Sequence, residues 1–192
     1  MNLKNLLFAS VIVLSANASF AQDTNEASHN VSINIPAVAL LDLETTETLN
    51  FSLVGAVLEN EAGLPISFET AKNTNTWINY SSILGAAAER KVTVAMTGTI
   101  PAGLKLTVSA AAAAIGKGDG TLGTSTTITT PFDLSSASSY DIITGVGSAY
   151  TGNGNASGHQ LTYQLGLDAA NYADLNSTNT ASVEITYTLV DM

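Results

Sequence analysis

The sequence predicts an all-β fold on three observations: apolar residues recur with period two, polar and glycine-containing stretches separate those runs, and no long helical stripe occurs. From Val31 the odd positions read Val31, Ile33, Ile35, Ala37, Ala39, Leu41 and Leu43, with Ser32, Asn34, Pro36, Asp42 and Glu44 among the even ones. Successive strand side chains point to opposite faces, so this alternation predicts a buried odd face. Pro36 has no N–H to donate to a ladder, so it splits the run into Val31–Ile35 and Ala37–Leu43 and puts the strand at an edge.

Each later element repeats the pattern. Leu49, Phe51 and Leu53 form a short face, and Ile78 with Tyr80 forms another. Val92, Val94 and Met96 lead to the turn Pro101-Ala102-Gly103, and Leu104, Leu106, Val108 and Ala110 return, which reads as a hairpin over Lys91–Ala110. Leu161, Tyr163, Leu165 and Leu167 form a late strand, and Val183, Ile185, Tyr187 and Leu189 form the last. Ala110–Ala114 reads as a single turn or a strand end, since Gly116, Gly118 and Gly120 follow at once. Gly116–Thr130 and Gly145–Gly158 read as long surface loops. Strands of this spacing suggest one Ig-like antiparallel β-sandwich over residues 22–192, with residues 22–30 a flexible leader.

The first 21 residues read as a secretory signal peptide: Lys4 in a short polar start, an apolar run Leu6–Leu14, and Ser19-Phe20-Ala21 before Gln22. The mature chain is therefore expected in the periplasm, at the cell surface or outside the cell. Without Lys4 it carries five basic residues against sixteen acidic ones. Nucleic acid is an unsuitable partner for such a surface, since phosphate backbones are held by clustered Lys and Arg and only Arg90-Lys91 stand together. The absence of cysteine excludes a thiolate nucleophile, a sulfur metal site and a lipid anchor on a processed cysteine. No second apolar run reaches the roughly 20 residues of a spanning helix; Leu104–Ile115 is too short and contains Lys105. An outer-membrane barrel would want aromatic girdles, and 6% aromatic residues fits a sandwich better.

Catalytic constellations are weak throughout. His29 and His159 have no paired metal spacing, and His159 reads as a solvated residue at a strand start. No Gly-x-Ser-x-Gly elbow occurs. Gly116-Lys117-Gly118-Asp119-Gly120 lacks the Gly-Lys-Ser/Thr ending of a phosphate loop, and Asp119 alone is far from the six to eight oxygens that calcium takes. Glu44/Glu47 and Glu59/Glu61 read as solvated carboxylates, and Trp77 as a core residue. The chain is thus expected to be no enzyme and to use no cofactor or metal. Its alternative role is a monomeric module holding a glycan or small ligand on its long loops, with Asp119, Tyr150 and His159 as the candidate residues.

Asn30-Val31-Ser32-Ile33-Asn34-Ile35-Pro36-Ala37-Val38 near the start, and Tyr172-Ala173-Asp174 with Val183-Glu184-Ile185-Thr186-Tyr187-Thr188-Leu189 near the end, carry a loose resemblance. The pattern resembles exported pilin-like subunits and spore-coat-protein-U-like domains. Trp77-Ile78-Asn79-Tyr80 and Gly158-His159-Gln160-Leu161-Thr162-Tyr163 are similar to exported β-rich proteins of Bacteroidetes type. The pilin resemblance implies an N-terminal strand donated to the next subunit, carried here by Val31, Ile33, Ile35 and Ala37. This chain departs from it in lacking a cysteine pair and in ending Val190-Asp191-Met192 without an aromatic residue. Burying the odd face from Val31 to Leu43 yields on the order of 10 kcal/mol gross, whether in its own domain or in a neighbour. The short connection after Leu43 favours docking Ala37–Leu43 in its own domain beside Leu49–Leu53, leaving Val31–Ile35 as the donor. The expected function is a structural or adhesive protein of the cell surface, possessing a fimbrial-type assembly strand and partnered by proteins or copies of itself.

Overall fold

The computed structural model describes Glu26 and residues 28–55, 62–126, 131–135 and 139–192. Residues 1–21, expected to be a signal peptide, and Glu59 and Glu61 lie outside the described residues. The chain divides into two units, residues 1–35 and 36–192. In the first, residues 28–35 form no strand, and Val31, Ile33 and Ile35 are 72%, 86% and 72% exposed. The buried odd face expected there is not formed.

The second unit is all-β and antiparallel. Its described residues form β1 (Val38–Thr45), β2 (Lys72–Ile83), β3 (Arg90–Thr97), β4 (Leu104–Ala113), β5 (Asp119–Ser125), β6 (Phe132–Asp133), β7 (Tyr140–Tyr150), β8 (His159–Leu167) and β9 (Glu184–Asp191). A 3-10 turn over Ala169–Asp174 links the last two.

Strand β2 organises the sheet. On one side it pairs with all of β1, and on the other with β8, which pairs in turn with β4 and β4 with β6. At its far end Ser81 and Ser82 pair with Tyr150 and Ala149 of β7. Strand β7 carries β5 and β3, and β3 carries β9. The two halves face one another across one core: the buried Tyr163 hydroxyl of β8 lies 2.8 Å from the Tyr187 hydroxyl of β9. Ile78, Val92, Val94, Val108, Ile142, Val146 and Leu161, from strands of both halves, form a single cluster between them.

Period-two patterning explains which faces are inside. Thr76, Ile78, Tyr80 and Ser82 of β2 are buried, while Trp77 between them is half-buried. Trp77 therefore lies on the opposite face, across from Glu44 and Gln160, and is not the core residue expected from its type. Val92 with Val94 and Leu106 with Val108 hold the inward positions of β3 and β4.

Strands β3 and β4 occur where expected, but they are not a hairpin. Strand β3 pairs with β7 and β9, and β4 with β6 and β8. The link over residues 98–103 is long enough to carry the chain from one part of the sheet to another, where a two-residue turn would force pairing.

The two glycine-rich stretches also hold strands: β5 lies inside the first, and β7 continues to Tyr150 within the second. Gly120 explains the first case. Its φ is 87° and a Cβ there would strike the Ser148 carbonyl oxygen of β7, so glycine permits a close approach that a side chain would block. Leu49–Leu53 forms no strand, yet Phe51 packs on Tyr163 with ring centroids 5.1 Å apart. Strand β1 therefore docks on Thr76–Ile83 of β2 and not beside Leu49–Leu53.

Replacement of fully buried Leu161 tests this core. Leu161→Ala should cost about 2–5 kcal/mol in urea denaturation, whereas Leu40→Ala, at a position 65% exposed, should cost under about 0.5 kcal/mol. Equal costs would contradict the assignment of faces.

Candidate functional site

Of the three loop candidates, two come together and His159 stands apart. Asp119 and Tyr150 are directly opposed in the β5–β7 ladder. Asp119 is exposed and its Oδ1 accepts the Gly120 N–H at 2.7 Å; Tyr150 is 53% exposed. His159 is fully buried, which corrects its reading as a solvated strand-start residue. The cause is Gly158, whose φ of 63° and close approach to the Ile78 carbonyl turn the chain inward just before His159.

Two hollows among the described residues lie elsewhere. One of about 360 Å³ sits between residues 99–102 and 178–181, and one of about 510 Å³ between residues 65–69 and 164–167. Neither includes Asp119, Tyr150 or His159. Among the described residues no three His, Asp or Glu side chains converge to hold a metal, and no helix is long and apolar enough to cross a membrane.

Around His159 the core is polar and short of one proton. Its Nδ1–H donates to the Ala111 carbonyl at 2.9 Å, which leaves Nε2 of the neutral ring as an acceptor facing the Tyr80 hydroxyl at 3.1 Å. That hydroxyl also meets the Leu122 carbonyl, so it has two acceptors and one hydrogen. The Tyr80 and His159 rings stack with centroids 5.8 Å apart. Burial lowers the His159 pKa, while the Ala111 and Leu122 carbonyls, which favour a protonated ring, oppose the shift. Burial likewise raises the hydroxyls of Tyr80 and Tyr187 and pushes Tyr163 up to about 12, against the hydrogen bond from Tyr187. The network fastens β2, β4, β5 and β8 together; it presents no reactive group to solvent.

Solvent-facing potential lies instead at the sheet edges. Strand β6 is two residues long, and the β5 ladder is broken between Gly120 and Leu122, features that blunt an edge. Strands β1 and β9 differ. Each pairs on one side through eight consecutive residues in unbroken register, β1 with β2 and β9 with β3. Leu41 and Leu43 of β1 and Ile185 and Leu189 of β9 pack against the core yet stay half-buried.

At one end these two edges are joined by Arg90, which sequence reasoning passed over as half of an isolated cation pair. Arg90 is 6% exposed. Its Nε donates to Asp191 Oδ1 at 2.7 Å, and its Nη1 donates to the Val38 carbonyl, to Ser82 Oγ at 3.1 Å and to the Ile83 carbonyl at 3.3 Å. One guanidinium thus touches the first residue of β1, the end of β2 and the last residue of β9. The basic residue that opens an alternating apolar strand was the available signal.

No family model, no curated protein and no solved structure matches the chain. The site is therefore defined by its geometry alone.

The buried histidine has a pH signature. Its folded pKa lies below the unfolded value of about 6.5, so below that pH the unfolded chain takes up a proton that the folded chain refuses. Stability should fall as pH drops through this window, and His159→Asn should make the fall shallower between pH 7.5 and 5. Identical slopes in urea denaturation would contradict a neutral, buried ring.

Proposed function

We propose that the mature chain is a non-enzymatic structural or adhesive protein of the cell surface, an Ig-like domain that assembles with further copies of itself. Val31, Ile33, Ile35 and Ala37 of one copy add as a strand to the free edge of β9 in the next. The observation that carries this is the coexistence of an exposed, alternating apolar segment with a long, regular strand edge that is unpaired among the described residues. Main-chain hydrogen bonds and alternate side-chain pockets are the two sources of affinity in strand addition.

Charge favours this occupant over a second β9. Symmetric antiparallel pairing of two β9 strands about Tyr187 and Thr188 would oppose Glu184 to Asp191, two like charges. The segment Val31–Ala37 carries no charge. Energetics make the contact reversible: burying Val31, Ile33 and Ile35 yields about 5–9 kcal/mol gross, against an association cost of at least about 4 kcal/mol. The assembly should therefore dissociate on dilution.

A second reading, glycan binding, is favoured by the exposed Tyr150 ring beside Asp119. Sugar arrays with Tyr150→Ala as control test it, and binding lost in the variant would support it.

Light scattering of the mature protein over a concentration series tests the assembly. Oligomers should grow with concentration and disappear in a chain lacking residues 22–36 and in Ile33→Asp, with the urea midpoint of the domain unchanged. A monomer at every concentration overturns the proposal.

A further inference from the structure

We infer that Arg90 is a positioning residue that carries tension between the root of the N-terminal segment and β9. Its biological use rests on the assembly proposed above, but the geometry and the test concern residues 36–192 alone. In such an assembly, each domain is pulled at two places: at Val38, where the donated segment enters β1, and at β9, where the neighbour's segment sits.

The backbone route between those places is long and narrow at one step. It runs from β1 through β2, crosses to β7 at the pairs Ser81–Tyr150 and Ser82–Ala149, with the Thr151 N–H donating to the Tyr80 carbonyl beside them, and reaches β9 through β3. Arg90 spans the same distance with one side chain. It belongs to β3, directly opposite Asp191 in the ladder, and binds Val38 at the loaded root. Its bonds to Ser82 Oγ and the Ile83 carbonyl brace β2 at the two-pair crossing itself.

Stability alone gives little reason for this choice. Burying the guanidinium costs desolvation, and an ion pair to a carboxylate that is 63% exposed returns little against it. A planar guanidinium, in contrast, directs several donors at fixed angles and can hold three strands at once; a lysine ammonium cannot hold that geometry.

Single-molecule unfolding at constant force tests the inference, and a chain without cysteine accepts thiol handles at chosen sites. Handles at Pro36→Cys and Thr188→Cys load the tie. Handles at Lys105→Cys and Thr124→Cys, on exposed positions of β4 and β5, load the same core without it. Arg90→Gln should unfold about tenfold faster or more in the first geometry, the scale expected for losing charge-assisted hydrogen bonds, and less than about twofold faster in the second. Arg90→Lys should fail to restore the wild-type rate.

Equal acceleration in both geometries would reduce Arg90 to a general core residue and overturn the inference. Should Arg90→Gln not fold, Asp191→Asn supplies the same comparison, since that carboxylate is 63% exposed. Failure of assembly in light scattering leaves this result standing, and failure here leaves the assembly standing.

Discussion

Burial of one alternating face of β2 is the constraint from which the rest of residues 36–192 follows. Ile78 and Tyr80 are inside because side chains two apart share a face, and the same face carries Thr76 and Ser82 into the core. Strand β2 is long enough to pair with β1 and β8 and still reach β7. The sheet therefore turns back on itself, and its two halves enclose one apolar cluster. Of the polar groups drawn inside by this arrangement, Ser82 is answered by Arg90, Tyr80 and His159 by each other and by two carbonyls, and Tyr163 by Tyr187, whereas Thr76 Oγ1 and Asn79 Oδ1 meet no hydrogen-bond partner among the described residues.

The edges are where such a sheet meets other chains. Natural sheets blunt their edges with bulges, charges and short strands, because an unpaired ladder is a template for further pairing. Here β5 and β6 are blunted and β9 is regular along its length. Glu184 and Asp191 at its two ends discourage pairing with itself while leaving the middle open to an uncharged strand. Edge chemistry and the free apolar segment are thus consistent with one another, which is the reason for reading them as parts of one device.

Much of the fold was legible because burial imposes period two. The late strand around Tyr163, the last strand around Tyr187 and the strands around Val94 and Val108 all fall where alternation placed them. Pairing was not legible. The link 98–103 looks like a hairpin turn in sequence, and only tertiary packing sends β3 and β4 to different halves. Strand β5 was hidden because its glycines serve close backbone approach to β7, a role that composition cannot tell from a loop. At the sites, the apolar segment was visible as a pattern. The burial of His159 and the bridging position of Arg90 depend on neighbours 48 and 101 residues away in the chain, which no local signal records.

The free edge of β9 is tested most directly by amide hydrogen exchange across Glu184–Asp191. In a chain lacking residues 22–36, amides of β9 directed toward β3 should be protected and the alternate ones should exchange rapidly. In a concentrated chain that begins at Gln22, the alternate amides should gain protection. Uniform protection along β9 in the truncated monomer, unchanged on concentration of the chain that begins at Gln22, would contradict an open edge.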